Sequence, residues 1–377
     1  MAYSDSPLNL TGQQWSKVLI HSNYAPTNFG GVEHVVSQLI PIAASSGFEV
    51  VCFYGGNSNR LIQVNAIVSY VERKILYKAK GACFLSLGNL LFFLQALKSK
   101  IVIYQEPYPS LWPALFFLQW FTRIETVVLV HADPDARSVV KWLYNKLRRI
   151  ILSKSHVVTT SPQLLSSLDL IKFKSSNIIP LGIPYQDIRQ PACIVEKSYA
   201  LYFGRLADYK GIDYLLDAIK ALPHISFVIA GQGPLSTLVC EFIARHNLTN
   251  VRFINEQISE EQKIALIRGC SFLIFPSTTK NEAFGIVQLE AMREGKPIVN
   301  TMLDNGVNFV APDGLCAISC PPKDSASLSI AINSIWTDNS LRSVLSDSAR
   351  RRFEENFTSD KFADLWSRLL NNIAGRS

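Results

Sequence analysis

The chain has 377 residues, 48% of them hydrophobic and 18% charged, with a formal net charge of +7 and a pI near 9.0. That length outgrows one ordinary core, so two globular domains with a large buried surface are expected. The cationic excess favours an anionic partner such as a nucleotide or a phospholipid surface, and the lack of an arginine-rich tail, zinc-finger spacing or RNP-type aromatic motif argues against nucleic acid.

The first 16 residues are polar and lack the basic segment and apolar core of a secretory signal, which predicts a cytoplasmic protein. From Lys17 the pattern is strand (18–21), glycine turn at Gly30 and Gly31, helix (32–46) and strand (50–54). Two apolar stretches, 82–97 and 111–121, are too short or too interrupted to span a bilayer, so any membrane contact is expected to be peripheral. Further strands are predicted at 101–104, 126–130 and 157–160. Strands alternating with helices imply a parallel sheet covered on both faces. The segment 181–198 carries two prolines and no sustained period, and reads as a linker. The alternation then restarts, with strands at 200–203, 226–230, 251–254, 272–275, 297–300 and 316–319, and closes on an amphipathic helix from Ser359. Seven cysteines are scattered with no C-x-x-C pair, as expected of free thiols in a reducing compartment.

Most chemistry-bearing residues fall at predicted strand ends. Arg205 and Lys210, in G-R-L-A-D-Y-K-G, place two cations beside glycines after the first strand of the second half, an arrangement suited to a diphosphate or to a solvated basic loop. Gly30 and Gly31 permit close approach of a phosphate to the backbone or form a plain tight turn, and no dinucleotide fingerprint accompanies them. His131 ends a strand, either poised to hydrogen-bond a substrate hydroxyl or stabilise charge, or merely structural; Asp133 and Asp135 follow as a D-x-D match of the kind that holds a metal-diphosphate elsewhere, at a spacing common by chance. Gly231 and Gly233 make another strand-to-helix turn. In N-E-A-F-G-I-V-Q-L-E, Glu282 lies in a loop and Glu290 two turns into a helix opened by Gly285, where the amides of Phe284, Gly285 and Ile286 suit an anion, or the two are ordinary glutamates of a solvated helix. The basic aromatic run from Lys141 to Arg149 is either a lipid-facing amphipathic helix or an ordinary exposed one.

Taken in order, F-G-G-V-E, H-A-D, G-R-L-A-D-Y-K-G, A-G-Q-G-P and E-A-F-G-I-V-Q-L-E resemble the retaining family 4 glycosyltransferases over nearly the whole chain. The resemblance implies an α/β GT-B fold of two doubly wound Rossmann-like domains facing a central cleft. Residues 1–180 would form an acceptor-side domain and 199–358 the nucleotide-sugar-binding domain, with the helix of 359–377 packing back on the first. It also implies transfer of a sugar from a nucleotide-diphosphate donor with retention, and no metal or other cofactor. By that pattern His131, Glu282, Arg205 and Lys210 form the catalytic set. Arg205 and Lys210 bind the diphosphate, with Gly30, Gly31 and Gly231 close to the donor. Glu282 takes the sugar hydroxyls, Ala283, Phe284, Gly285, Ile286 and Val287 line the donor, and Glu290 holds the ribose.

Two departures stand out: Gly306, in D-N-G-V-N-F-V, is followed by no glutamate three residues later, and Asn255 replaces a glycine beside the base pocket. The first variant is similar to bacterial mannosyl- or hexosyltransferases of surface-polysaccharide, lipopolysaccharide and O-antigen assembly. That likeness points to GDP-mannose as donor and a glycan or lipid-linked acceptor at the inner face of the cytoplasmic membrane. A GT-B-shaped sugar-nucleotide epimerase and a non-catalytic nucleotide-sugar-binding subunit are the alternatives, and the oligomeric state is left open.

Overall fold

The computed structural model describes residues 15–23, 25, 31–74, 77–78, 84–85, 88–131, 139–168, 171–185 and 198–376. They divide into two compact units, one running to Pro180 and taking in the chain again from Phe362, the other spanning Leu181–Lys361.

The first unit runs β1 (Ser16–Ser22), α1 (Gly31–Ser45), β2 (Phe48–Gly56), β3 (Arg60–Gln63), β4 (Val68–Lys74), β5 (Tyr77–Lys78), β6 (Phe84–Leu85) and α2 (Gly88–Ala96). It continues with β7 (Ile101–Gln105), α3 (Trp112–Phe121), β8 (Glu125–Val130), α4 (Val139–Ser153), β9 (His156–Thr159), α5 (Pro162–Ser166) and β10 (Ser175–Ile178). Its main sheet has the order β10-β9-β8-β7-β1-β2-β4-β3, parallel except for the β3–β4 pair. Central strands are buried along nearly their whole length, with Val18 paired to both Val50 and Ile101, as a sheet covered on both faces requires.

Three strands of this sheet fall where the sequence pattern gave none. In β4, V-S-Y-V-E-R-K, the charges of Glu72 and Arg73 hide the strand, yet both are buried. Glu72 accepts from the amides of Asn57 (2.8 Å) and Ser58 (3.2 Å) and from Arg60 (2.5 Å). The Arg73 guanidinium lies 4.4 Å from the Tyr108 ring centroid and 5.3 Å from that of Phe53, and its Nη2 stands 3.0 Å from His21 Nε2.

Within the basic run from Lys141 to Arg149, Arg148 does not face outward on α4. Its guanidinium is buried against Glu106, with Nε 2.8 Å and 3.1 Å from the two carboxylate oxygens. Lys146 and Arg149 remain exposed. The final helix, α13 (Ser359–Ala374), enters the first unit from Phe362 onward. There Lys100 donates to the carbonyl of Ala374 at 2.6 Å, and Arg376 donates to the carbonyls of Ser46 and Gly47, each at 3.0 Å.

The second unit runs β11 (Ala200–Phe203), α6 (Ile212–Lys220), β12 (Phe227–Ala230), α7 (Ser236–Arg245), β13 (Val251–Ile254), α8 (Glu260–Gly269), β14 (Phe272–Phe275) and α9 (Ile286–Arg293). Then follow β15 (Ile298–Thr301), α10 (Gly306–Val310), β16 (Ala317–Cys320), α11 (Ser325–Thr337) and α12 (Asn339–Asn356). Helix starts are specified locally: Ser259 and Gln262 form a capping box on α8, and Asp324 and Asp338 cap α11 and α12. The start of the expected 181–198 linker is instead part of this unit. Ile183 is buried and pairs with Thr358, donating to the carbonyl of Phe357 and accepting from Ser359, both at 3.0 Å.

Among the described residues, the six strands of this unit are parallel, in the order β13-β12-β11-β14-β15-β16. The chain therefore winds from β11 to one edge and from β14 to the other. The carboxyl ends of β11 and β14 flank the point where the winding reverses, which is where open α/β sheets leave a crevice.

Candidate functional site

The loops leaving β11 and β14 are tied to each other across that reversal point. The amide of Thr278 donates to the carbonyl of Tyr209 at 2.8 Å, and the Lys210 ammonium bonds the Glu282 carboxylate. Lys210 also lies 5.0 Å from the Phe275 ring centroid, so an aromatic floor and a carboxylate fix it together. Arg205, five residues earlier, is exposed, and among the described residues its guanidinium makes no hydrogen bond or ion pair, acting on Tyr209 only through its charge. Sequence reasoning separated the roles of Lys210 and Glu282; the structure brings them into contact.

Gly231 opens the loop after β12 and abuts the β11 loop. A Cβ there would stand 1.9 Å from the carbonyl oxygen of Gly204, so any other residue would push the two loops apart. Gly285, with φ +80°, is the N-cap of α9, and a Cβ would meet the Phe275 ring at 2.7 Å. That left-handed turn aims the start of α9 at the crevice. Among the described residues, the amides of Phe284, Gly285 and Ile286 donate to no acceptor, and the positive end of the α9 dipole adds to them.

The D-N-G-V-N-F-V segment takes a structural part that its sequence did not announce. Asn305 Nδ2 donates to the carbonyl of Glu282 at 2.7 Å, while Asn305 Oδ1 accepts from the amide of Val307 at 3.0 Å. The loop that carries Glu282 is thereby anchored to α10. Gln288, fully buried, completes the anchor by donating to the carbonyls of Phe284 (3.1 Å) and Val307 (3.3 Å). Neither amide residue was singled out in the sequence, because Asn and Gln in a loop or helix ordinarily mean only surface polarity.

Glu290 lies on α9 as expected, and Lys263 of α8 stands 2.6 Å from its Oε1 and 2.7 Å from Glu260. Burial opposes the charge on Lys263, but the Glu290 and Glu260 carboxylates beside it hold its pKa above the ordinary lysine range. Lys263 was not foreseen; S-E-E-Q-K reads as an exposed helix start. Ser277 and Thr279, in the loop after β14, also escaped notice, yet both hydroxyls are buried without a partner among the described residues. A cavity of about 390 Å³ opens at the end of β13, lined in part by Phe253, Asn255, Glu256 and Ile258. Burial pushes the thiols of Cys270 and Cys316 up to about 12, so neither is a nucleophile near neutral pH.

The remaining predicted residues belong to the first unit. His131 follows β8, its Nε2 is buried with no partner among the described residues, and burial brings its pKa down to about 4. The imidazole is therefore neutral at pH 7 and has a hydrogen-bonding position to offer. Gly31 opens α1, whereas Gly30, Asp133 and Asp135 lie outside the described residues.

A crevice at a reversal of strand order, furnished with an unpartnered guanidinium, a lysine–glutamate pair and free amides at a helix start, fits an anionic ligand with hydroxyl groups. Residues 186–352 match the family described as glycosyl transferases group 1. The chain is 28% identical over 372 residues to O-antigen chain mannosyltransferase C of Escherichia coli, covering 94% of this chain and 97% of the relative. Over 353 residues it is 26% identical to the D-rhamnosyltransferase WbpZ of Pseudomonas aeruginosa, covering 90% and 91%. Among solved structures, sucrose-phosphate synthase from Thermosynechococcus elongatus superposes with a TM-score of 0.76 over 96% of this chain and 100% of that one. At 20% identity that likeness speaks for the fold alone. The second unit thus matches the glycosyl transferases group 1 family, and the two parallel-sheet units have the GT-B fold.

Proposed function

We propose that the protein is a glycosyltransferase that moves a hexose, best matched by mannose from GDP-mannose, onto a lipid-linked or polysaccharide acceptor, with retention and without a metal. The observation that carries the reading is the crevice between β11 and β14, where Arg205, the Lys210–Glu282 pair and the amides of Phe284, Gly285 and Ile286 converge. The mannose assignment follows the O-antigen mannosyltransferase relative, and O-antigen or polysaccharide assembly at the inner face of the cytoplasmic membrane is the matching setting.

In this reading Arg205 and Lys210 neutralise the donor diphosphate as its bond to the anomeric carbon breaks, which is the work a metal ion performs elsewhere. The acceptor oxygen bonds to the same face of that carbon, and its proton passes to the departing phosphate oxygen. Glu282 accepts from donor-sugar hydroxyls, exchanging part of its bond to Lys210 for them. Glu290 keeps one carboxylate oxygen on Lys263 and turns the other to the ribose hydroxyls. The cavity at the end of β13 seats the base beside Asn255 and Glu256.

A panel of sugar nucleotides, read by thermal shift and by donor turnover, tests the assignment. GDP-mannose is expected to raise the melting temperature most, to be consumed only with acceptor present, and to do so in EDTA. Proton NMR of the product should show the donor's anomeric configuration. Turnover of the donor sugar without any acceptor would instead indicate an epimerase, and no shift with any sugar nucleotide would overturn the reading.

A further inference from the structure

Two helices of the first unit are apolar all round. On α3, W-P-A-L-F-F-L-Q-W-F, the inner stripe of Trp112, Leu115 and Leu118 is buried in the core. The opposite face is equally apolar and exposed: Phe116, Phe117, Trp120 and Phe121, the last 69% exposed. On α2 the pattern repeats, with Phe92 and Ala96 inside and Leu90 (65% exposed), Leu91 and Leu94 outside. Phe93 and Phe117, with ring centroids 5.2 Å apart, join the two helices into one surface. A surface helix normally turns a polar face outward, and a contiguous exposed patch of large side chains needs a partner.

Charge identifies the partner. The sequences of α2, α3 and α4 contain no aspartate or glutamate. Lysines and arginines surround the patch instead: exposed Lys98 follows α2, exposed Arg123 follows α3, and exposed Lys146 and Arg149 lie on α4. Lys154 reaches over the Trp120 ring, 5.4 Å from its centroid. Protein interfaces are depleted in lysine at their cores and pair charges of both signs across their rims. A bilayer with anionic headgroups asks for apolar and aromatic side chains at the acyl boundary, a tryptophan at headgroup level and cations of one sign around them. No described helix is long and apolar enough to cross a membrane, so the surface would lie in the interface plane.

We infer that the outer face of α2 and α3 is a docking surface that inserts into an anionic phospholipid bilayer, with Lys98, Arg123, Lys146, Arg149 and Lys154 resting on its headgroups. This surface gives a physical site to the peripheral contact in the proposed function and rests on that part of it. None of its residues belongs to the donor crevice. Arg148, held by Glu106, takes no part.

The test is co-sedimentation of the full chain with phosphatidylcholine vesicles, with and without roughly one third phosphatidylglycerol. The wild type is expected to bind the anionic vesicles, more weakly at high salt, with tryptophan fluorescence quenched by brominated acyl chains. Trp120→Gln with Phe121→Gln should lower the partition coefficient by about tenfold or more. Leu90→Gln with Leu94→Gln, on the other helix, guards against a local folding defect in α3, and circular dichroism melting of both should match the wild type. The donor-induced thermal shift, measured in parallel, should be unchanged in both variants, so a failure of the donor reading shows separately. Undiminished binding by both variants would overturn the inference and leave the α4 cations as the contact. A wild type that ignores the vesicles would overturn the membrane contact altogether. If that wild type also dimerised, and the variants did not, a second copy of the chain would be the occupant.

Discussion

The two units share a plan, a parallel sheet clothed in helices, but they place their charged groups in opposite ways. In the second unit Arg205, Lys210, Glu282 and Glu290 stand in loops or helix turns at the carboxyl side of the sheet, held in pairs or left with a bonding position to spare. In the first unit Arg73, Glu72, Glu106 and Arg148 are sunk into the interior, while the outer face of α2 and α3 is apolar. One half keeps charge where a small anionic ligand can reach it. The other spends charge on its own core and offers a greasy exterior ringed by cations. In the proposed reading, that difference separates ligand chemistry from positioning on a surface.

Substitutions can break this contrast at several depths. The largest effect is expected from Arg148→Ala, which strands the Glu106 carboxylate in the interior and should destabilise the protein by about 3–5 kcal/mol in denaturant unfolding. Next is Arg205→Ala, which removes an exposed guanidinium with nothing to lose structurally; transfer kcat should fall about 100-fold with the melting temperature unchanged. If instead the loss of Arg205 lowered stability and spared kcat, the charges of the second unit would be structural like those of the first.

Acid sharpens the comparison through His131. Its imidazole is neutral in the fold down to about pH 4 but takes a proton near 6.5 when unfolded, so the unfolded state binds more protons in that window. Stability is therefore full above pH 6.5 and is lost as pH falls through about 4, by up to about 3 kcal/mol. The buried His21 is lowered in the same direction. Denaturant midpoints between pH 7 and 4 should fall for the wild type and fall less for His131→Gln. The smallest effect is expected at Lys263. Lys263→Ala frees the Glu290 carboxylate, and donor KM should rise about tenfold with kcat little changed, a loss of about 1.4 kcal/mol. Lys263→Arg should restore it, and a donor lacking the ribose hydroxyls should bind wild type and variant alike.

The same contrast explains what the sequence could tell. The strands of the second unit are short apolar runs bounded by glycines, prolines and polar loops, so F-L-I-F and its neighbours stood out and the residues following them could be placed at strand ends. β4 did not stand out, because burying Glu72 depends on amides from Asn57 and Ser58 that are distant in sequence, and burying Arg73 depends on rings contributed by β2 and the segment after β7. The burial of Arg148 was hidden for the same reason. A helical wheel cannot know that Glu106 waits 42 residues earlier in the fold. Within the site, Glu282 and Glu290 were legible as a spaced pair, whereas Asn305, Gln288 and Lys263 act through contacts that only the folded chain brings together. The exposed face of α3 is a further case: F-F-L-Q-W-F reads as core until burial shows one side of it facing outward.

If the crevice of the second unit binds a sugar nucleotide and Glu282 addresses its sugar, loss of that carboxylate must separate nucleotide binding from transfer. Comparing wild type and Glu282→Ala for sugar transfer, with GDP and GDP-mannose thermal shifts measured on the same samples, tests it most directly. Expected are a retained fold by circular dichroism, a shift with GDP that persists, a shift with GDP-mannose reduced by more than that with GDP, and transfer lowered about 100-fold or more. Unchanged transfer by Glu282→Ala would contradict it.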